Sequence, residues 1–237
     1  MNKQRLDKII SSQFPISRSE ARRAIKIGRV SVEGKVIKDF GFLADPDSER
    51  IEYEGQAVNY KKHLYIVMNK PKGIISASND KSQQTVVDLV PEELRRQGMF
   101  PVGRLDKDTT GILLITDDGE FGHNLMSPKK HVPKTYEVLL DGKLLPEMCE
   151  AFKSGIVLAD GTQCAPAEME ILSERKALVT LREGKYHQIK RMFGTLDLGV
   201  EELKRISIGG LRLPEDIKEG DCRELSSAEN ELIFQEF

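Results

Sequence analysis

The sequence predicts an α+β protein in two parts: a small N-terminal module of helices and a hairpin, and a larger domain with a mixed, largely antiparallel sheet flanked by helices. Short apolar or alternating segments follow one another along most of the chain, interrupted at irregular intervals by helix signals. Positive charge is concentrated in residues 1–38. A polar stretch at residues 54–63 separates the two parts, and we place the boundary near residue 60, giving domains 1–60 and 61–237.

Length and composition narrow the class of protein. With 237 residues the chain can form one large domain or two smaller ones. No apolar run approaches the roughly 20 residues of a membrane span, and residues 1–13 are too charged for a signal peptide. The cysteines lie far apart without a CxxC pair, which favours a reducing, cytoplasmic location: Cys149, Cys164 and Cys222. The four histidines lack zinc-ligand spacing, so we expect no metal.

The N-terminal module is predicted to contain two short helices followed by a hairpin. The first helix shows one apolar face, formed by Leu6, Ile9 and Ile10. Ser17 and Glu20 form a capping box that begins the second helix, and Gly28 ends it. The stretch VSVEGKVI then alternates like a hairpin that turns at Glu33-Gly34.

Charge is distributed unevenly within this module. Residues 1–38 contain ten Lys or Arg against three acids, a balance of +7, whereas residues 39–60 balance to −5. Basic residues recur every four positions along the second helix: Arg18, Arg22 and Lys26. Such a stripe is either a solvated helix face or the electrostatic footprint of a nucleic-acid-binding element.

The larger domain is predicted from alternating strand and helix signals. Apolar or alternating runs predict strands at 64–69, 112–115, 135–140, 167–172, 177–183 and 202–211. Helices are predicted just after Pro91, over 146–153 and 184–193, and after a cap at Ser226 or Ser227. Asp118-Gly119 is interpreted as the turn that ends the strand at 112–115.

One stretch of this domain, GRLDKDTTGILLITDDG, sets charged residues beside a buried strand. Arg104 and Asp106 are two residues apart, so in extended backbone they share one face while Leu105 anchors the other. An acid held at the mouth of a rigid strand is either a catalytic group or part of an ion pair that fixes a loop.

Three shorter stretches also carry candidate chemistry. NKPKG (69–73) is either a phosphate-holding turn with two lysines or a plain turn, and KTYEV places Tyr136 in a strand as a core or functional aromatic. EGKYHQIKRMF (183–193) predicts a helix whose apolar face packs on the sheet. Its other sides carry two i,i+4 pairs, Tyr186 with Lys190 and His187 with Arg191; a solvated basic helix is the alternative.

Residues 4–55, which contain RLDKII and SRSEARRAIKIGRVSVEGKVI, resemble the S4 RNA-binding domain. This resemblance implies an α-L-shaped module that binds RNA. It also implies that five basic residues contact RNA phosphates: Arg18, Arg22, Arg23, Lys26 and Arg29.

The four stretches of the larger domain, in their order along the chain, resemble the RsuA family of pseudouridine synthases over residues 64–235. The resemblance implies isomerisation of a ribosomal RNA uridine to pseudouridine, with no cofactor or metal: the N-glycosidic bond breaks, the uracil rotates, and C5 joins the same sugar carbon. With the S4-like start and the late motif YHQIKRM, it implies a monomer acting on 16S RNA or a partly assembled small subunit. The alternatives are a 23S target or a non-catalytic ribosome-assembly factor.

The same resemblance implies roles for individual residues. Asp106 matches the essential aspartate, Tyr136 the tyrosine that stacks on the target base, and Lys190 the cation that pairs with the aspartate and keeps it charged. Arg104 is implied to fill the space that the base vacates or to hold phosphate, and Lys70 and Arg191 are implied to contact phosphate. His187 is implied to bind substrate. Three chemical routes stay open: attack of the carboxylate on C1′, its addition to the base, or removal of a sugar proton.

Overall fold

The computed structural model describes residues 2–127 and 130–235, which divide into two compact units. The first unit runs to Leu64 and also includes Val90–Phe100; the second holds Tyr65–Leu89 and the chain from Pro101 onward. The return of Val90–Phe100 to the first unit is not visible in the sequence. Its buried Arg96 donates to the carbonyl of Lys61 and to Gln13 Oε1, both at 2.9 Å.

Two helices and short antiparallel strands build the first unit. The helices are α1 (Leu6–Gln13) and α2 (Arg18–Lys26). A four-stranded sheet has the order β3-β2-β5-β6, and a separate pair joins β1 to β4. The strands are β1 (Gln4–Arg5), β2 (Val30–Val32), β3 (Lys35–Val36), β4 (Leu43–Ala44), β5 (Ile51–Tyr53) and β6 (Gln56–Ala57).

The predicted start of α2 and the predicted hairpin are both confirmed. Ser17 accepts from the Glu20 amide at 3.2 Å while Glu20 accepts from the Ser17 amide at 2.7 Å, which completes the capping box. Glu33 and Gly34 both have positive φ, 49° and 74°, as a two-residue turn between twisted strands requires. The apolar face of α1 is buried in the core of this unit.

A single large sheet organises the second unit. Its main path is β11-β12-β10-β13-β9-β7-β15, with β14 added to β13 and β8 added to β9. The strands are β7 (Tyr65–Lys70), β8 (Phe100–Val102), β9 (Thr110–Thr116), β10 (Lys134–Leu140), β11 (Glu168–Ile171), β12 (Lys176–Leu181), β13 (Val200–Ile208), β14 (Leu211–Arg212) and β15 (Cys222–Glu224). Among the registered pairs on this path, β13 with β9 is parallel and the others are antiparallel. The predicted mixed, largely antiparallel sheet is therefore confirmed.

Helices flank this sheet: α3 (Gly119–Met126), α4 (Glu147–Ser154), α5 (Gln188–Gly194) and α6 (Ser227–Leu232). A 3₁₀ turn, Glu92–Leu94, follows Pro91 in the first unit. Along residues 2–127 and 130–235, no helix is long and apolar enough to cross a membrane.

Two local predictions were wrong. Asp118-Gly119 is a helix start, because the Asp118 carboxylate accepts from the amides of Glu120 and Phe121 and so caps α3. The helix predicted over 184–193 begins only at Gln188. The Gln188 side chain accepts from the Lys185 amide at 2.9 Å and holds residues 185–187 as a loop.

The parallel contact between β9 and β13 depends on Gly111. This residue has φ of +101° and lies opposite Arg205 in the register. A Cβ atom there would collide with the Arg205 backbone carbonyl. Glycine therefore lets β13 approach the start of β9, directly after the GRLDKDTT segment.

Candidate active site

Asp106 lies on a loop, residues 103–109, that leads into β9. Ser76 fixes this loop from the side: its Oγ accepts from the Leu105 amide at 3.0 Å and donates to the Leu105 carbonyl at 2.9 Å. Leu105 is buried while Arg104 and Asp106 remain accessible. The alternation expected from the sequence is present, although the backbone is a loop and not a strand.

Lys70 is buried against the backbone of the same loop. Its predicted role as a phosphate contact is therefore corrected. Its side chain is fully buried, and Nζ donates to the carbonyls of Pro71 at 3.0 Å and Thr109 at 2.9 Å, with a longer contact to Lys107 at 3.4 Å. Burial lowers the pKa of this ammonium to about 8, against the opposing effect of nearby carboxylates. A side chain enclosed in this way cannot reach a phosphate, so the NKPKG stretch positions the loop.

The loop borders a cavity of about 650 Å³ within the second unit. Four of the sequence-predicted site residues line it: Arg104, Asp106, Tyr136 and His187. The Asp106 side chain retains 30% exposure, so its carboxylate stands at the open part of the cavity. Tyr136 is half-buried on β10 and packs against the apolar core beneath it. A carboxylate, an aromatic ring and basic groups therefore share one concave surface.

Two basic side chains flank the Asp106 carboxylate without hydrogen-bonding to it. His187 Nε2 lies 3.5 Å from Oδ1, and Lys190 Nζ lies 3.8 Å from Oδ2. Lys190 instead donates to both oxygens of Asp108 at 2.6 Å. This hydrogen bond lowers the pKa of the Asp108 carboxyl. The predicted pairing of Lys190 with Asp106 is thus present at ion-pair distance, but the closer partner is Asp108.

Of the other predicted substrate contacts, Arg104 and His187 line the cavity and Arg191 does not. Arg104 is exposed at the cavity, and no ion pair joins it to the part of the chain that the structure describes. His187 has a left-handed backbone, with φ of 47°, and its ring stacks on Tyr186 at 3.9 Å. Arg191, predicted to contact phosphate, donates to Asp160 at 2.5 Å on another side of α5. Arg191 does not line the cavity, so its contact with phosphate stays a prediction that would require the exposed Asp160 to give up the pair.

Two of the predicted RNA-binding residues of the first unit, Arg18 and Arg22, bind a buried acid. Asp7 is fully buried and accepts from Arg22 at 2.7 Å, and from Arg5 and Arg18 at 3.2 Å. Burial raises the pKa of the Asp7 carboxyl, but the three arginine hydrogen bonds outweigh burial and hold that pKa well below its ordinary value. Arg18 and Arg22 of the stripe on α2 are therefore held together by one carboxylate.

Further basic residues of the first unit lie near the Asp7 cluster or elsewhere on the surface of this unit. The Phe40 ring lies beneath three cations at 5.3 to 5.6 Å, those of Arg5, Arg22 and Lys26. Arg29 pairs with Glu54 at 2.6 Å, and Arg23 is exposed. We refer to Arg5, Arg18, Arg22, Arg23, Lys26 and Arg29 as the basic surface.

Known proteins resemble the chain over nearly its whole length. Residues 64–195 match the RNA pseudouridylate synthase family, and residues 4–49 match the S4 domain. A Bacillus subtilis protein named uncharacterized RNA pseudouridine synthase YtzG is 42% identical, covering 97% of this chain and 98% of that protein. Ribosomal small subunit pseudouridine synthase A of Vibrio cholerae is 38% identical, covering 98% and 100%. The chain belongs to the RsuA-type RNA pseudouridine synthases.

A solved structure agrees with this assignment. The crystal structure of a pseudouridylate synthase superposes with a TM-score of 0.69 at 34% identity, covering 97% of this chain and 99% of that one. The pseudouridine synthase described here is thus an isomerase with an N-terminal S4 domain. Among its described residues, no group of three or more His, Cys, Asp or Glu could hold a metal ion.

Several residues that shape the candidate active site of this pseudouridine synthase were not predicted from the sequence. Ser76, which holds the loop, lies in a segment without strand or helix signals. Arg205 and Lys134 line the inner cavity, and burial, followed by the charge of Arg205, lowers the pKa of the Lys134 ammonium to about 8. A signal for Arg205 exists: it occupies an inward position of β13, between buried Leu203 and Ser207.

Proposed function

We propose that this pseudouridine synthase modifies a uridine of 16S ribosomal RNA, as free RNA or in a partly assembled small subunit, with Asp106 as the catalytic carboxylate. The target is supported by relatives named for the small ribosomal subunit, among them the Escherichia coli protein, 35% identical over 95% of this chain. The catalytic role is supported by one observation above all: Asp106 is an accessible carboxylate on a clamped loop, at a cavity large enough for a nucleotide base.

The reaction requires the uridine to leave the RNA stack and enter the cavity. The N1–C1′ bond breaks, the base turns, and a C5–C1′ bond forms; C5 loses a proton and N1 gains one, so no co-reactant is consumed. Ser76 and Lys70 fix the backbone around Asp106, which keeps its carboxylate in one position while the base moves. Tyr136 supplies a flat surface for stacking with the base.

The basic groups around Asp106 have separate proposed roles. Lys190 stabilises its negative charge, and His187 places an imidazole beside it; neither occupies the Asp106 oxygens, because both stand beyond hydrogen-bond distance. Arg104, exposed beside the cavity, is placed to bind a phosphate or to fill the space that the base leaves in the RNA.

We assign RNA binding to the basic surface of the S4 domain. Its predicted phosphate contacts are Arg18, Arg22, Arg23, Lys26 and Arg29. The support is the concentration of cations on α2 and the anchoring of Arg18 and Arg22 by Asp7. An anchored cation loses less side-chain freedom when it meets a phosphate than a mobile one does.

Mapping pseudouridines in ribosomal RNA from cells that lack the protein tests the proposed function. We expect one pseudouridine to disappear from 16S RNA and to return with the wild-type gene but not with Asp106→Asn. Asp197→Asn is the matched control, because Asp197 is exposed and has a positive φ that asparagine also adopts. Loss of a 23S pseudouridine would overturn the target. An unchanged pseudouridine map would instead favour a non-catalytic assembly factor.

A further inference from the structure

The inner part of the active-site cavity contains a buried guanidinium with an unused donor. Arg205 is 2% exposed, and its Nε donates to the Ile112 carbonyl at 2.8 Å. Its Nη2 is buried and has no hydrogen-bond partner among the described residues, nor does any described carboxylate pair with this side chain. A buried guanidinium with an unpaired donor and no counter-charge is costly, so its presence at a cavity points to a ligand that supplies an acceptor to Nη2.

Sheet register places this guanidinium next to the site residues. Arg205 lies opposite Tyr136 on β10 and opposite Gly111 on β9. It is therefore between the aromatic ring proposed to stack on the base and the strand that follows the Asp106 loop. Thr109, at the end of that loop, lines the same cavity, and its Oγ1 is also buried without a partner among the described residues.

We propose that Arg205 recognises the uracil edge farthest from the sugar, donating to O4, while Thr109 Oγ1 accepts from N3–H. This inference rests on the proposed function. The accessible Asp106 acts near the sugar, which attaches at N1, and C4 is the ring atom opposite N1. The C4 carbonyl of an inserted uridine therefore reaches deepest, where Arg205 is buried. Cytosine carries an amino donor at C4 and would set donor against donor.

The same contacts suit the rotation of the base. A half-turn of uracil about its N3–C6 axis exchanges N1 with C5 and O4 with O2, and leaves N3 on the axis. Arg205 then donates to O4 before the turn and to O2 after it, while Thr109 keeps its contact with N3–H. One buried donor thus holds the base in both bonding states. Cytosine lacks this symmetry.

The proposal is tested with a thermodynamic cycle that combines a change of Arg205 with a change of the O4 atom of the substrate uridine. The mapped target uridine is replaced by 4-thiouridine, whose sulfur is a poor acceptor, and single-turnover pseudouridine formation is measured with wild type, Arg205→Met and Arg205→Lys. We expect wild type to lose roughly 10- to 100-fold on the thio RNA, as for a hydrogen bond to a charged group. On uridine RNA, Arg205→Met should lower the single-turnover rate by a similar factor. On thio RNA, its rate should be no lower than its own rate on uridine RNA.

Binding gives a second readout. Wild type should bind RNA with uridine at the target more tightly than RNA with cytidine there, and Arg205→Met should lose that preference. Lys204→Met is the matched control: Lys204 is the preceding residue of β13, is exposed, and should leave both measurements unchanged.

The outcomes separate this proposal from the proposed function. If Arg205→Met lowers turnover by the same factor on uridine and thio RNA and keeps its preference over cytidine, Arg205 is structural and the proposal is overturned. Should Arg205→Met fail to fold, Arg205→Lys carries the same cycle, since it keeps the cation and changes the donor geometry. No pseudouridine from wild type on uridine RNA would overturn the proposed function itself.

Discussion

Two aspartates of this pseudouridine synthase lie among cations, but their carboxylates are held in different ways. Asp7, in the S4 domain, is fully buried and hydrogen-bonded by three arginines at 2.7 to 3.2 Å. Asp106, in the synthase domain, is 30% exposed, and its neighbouring basic groups, the His187 imidazole and the Lys190 ammonium, stand 3.5 and 3.8 Å away. The oxygens of Asp7 are engaged, whereas those of Asp106 remain available to a substrate.

The difference shows how the same residue type serves two purposes. A carboxylate saturated by hydrogen bonds fixes the side chains around it and contributes to stability. A carboxylate held only through its backbone, with basic groups near but not hydrogen-bonded to it, has its oxygens open to a substrate. Ser76 and Lys70 hold the Asp106 loop through backbone atoms alone, which leaves the carboxylate free. The two sites should therefore respond oppositely to the same Asp→Asn change.

The largest expected effect is that of Asp106→Asn. Removing the ionised oxygen should lower the single-turnover rate by about 10³-fold or more. The free energy of unfolding should stay within about 0.5 kcal/mol of wild type, because no hydrogen bond from the described residues reaches this carboxylate. Rate measurements on modified RNA and a denaturant titration check both. Measurable turnover by a preparation free of wild-type enzyme would end the catalytic assignment.

Asp7→Asn should do the reverse. The three arginines lose a buried counter-charge, and we expect the free energy of unfolding to fall by about 2 kcal/mol, less than for a fully buried network because the arginines are half-exposed. Turnover at saturating RNA should remain near wild type. RNA affinity should fall although a negative charge is removed, since Arg18 and Arg22 lose their anchor. An affinity that rises would show that charge, and not side-chain positioning, controls binding.

Stability of Asp7→Asn should also depend differently on pH. The folded-state pKa of Asp7 lies below its unfolded value, so its contribution is present above pH 4 or so and is lost as pH falls through the folded pKa. The variant should lack this loss in acid.

The sequence predicted much of the fold because the relevant signals are local. Apolar alternation marks the strands of the large sheet, and the capping boxes at Ser17 and Ser226 mark two helix starts. The helix α3 was missed because Asp-Gly is as good a signal for a turn as Asp is for a helix cap. The strand and cap patterns are set within a few residues, so no tertiary information is needed.

The environment of each charged side chain could not be predicted in this way. Lys70 and Arg191 have the residue type of a phosphate contact, but carbonyls of the loop before β9 engage the first and Asp160 engages the second. Both partners come from distant parts of the sequence. Asp106 was predicted by its motif, yet its unbonded state depends on Ser76 and on the competition of Asp108 for Lys190. Long-range packing decides such features.

Lys190→Met tests that competition. Lys190 is the shared cation of Asp106 and Asp108, so its loss should lower kcat about 10- to 100-fold while RNA affinity changes only a few-fold. Asp108→Asn is the comparison, because it frees Lys190 to approach Asp106 and should lower kcat much less. Equal losses in the two variants would mean that the Lys190–Asp108 pair acts only as a structural tie.

The buried Lys70 ammonium, which holds the Asp106 loop, should affect how the free energy of unfolding depends on pH. The folded pKa of Lys70, about 8, lies below the unfolded value near 10.4. Between these values the unfolded chain binds more protons, so stability rises with pH; below pH 8 the burial penalty is complete, and above about 10.5 it is gone. Lys70→Met should reduce the slope of unfolding free energy by up to about 1.4 kcal/mol per pH unit in this window. If wild type and Lys70→Met had the same slope of unfolding free energy against pH, Lys70 would not be a buried ammonium that titrates in this window.

The smallest effect concerns single members of the basic surface. Arg23→Ala removes an exposed cation outside the Asp7 cluster, so it should weaken RNA binding a few-fold without unfolding the S4 domain. Each lost phosphate contact reduces the slope of log affinity against log salt by about 0.7 for single strands and about 0.9 for duplex. Turnover at saturating RNA should not change, because the cavity residues are untouched.

Arg50→Ala provides the control for this measurement. Arg50 is also an exposed cation of the S4 domain, but it pairs with Glu52 within the acidic stretch 39–60. Its loss should leave the salt slope at the wild-type value, since Arg50 lies outside the basic stretch 1–38, in a stretch whose net negative charge disfavours a phosphate. If Arg23→Ala and Arg50→Ala gave the same slope, the Arg23 side of α2 would be a solvated face. RNA binding by the basic surface would then be restricted to the arginines that Asp7 holds.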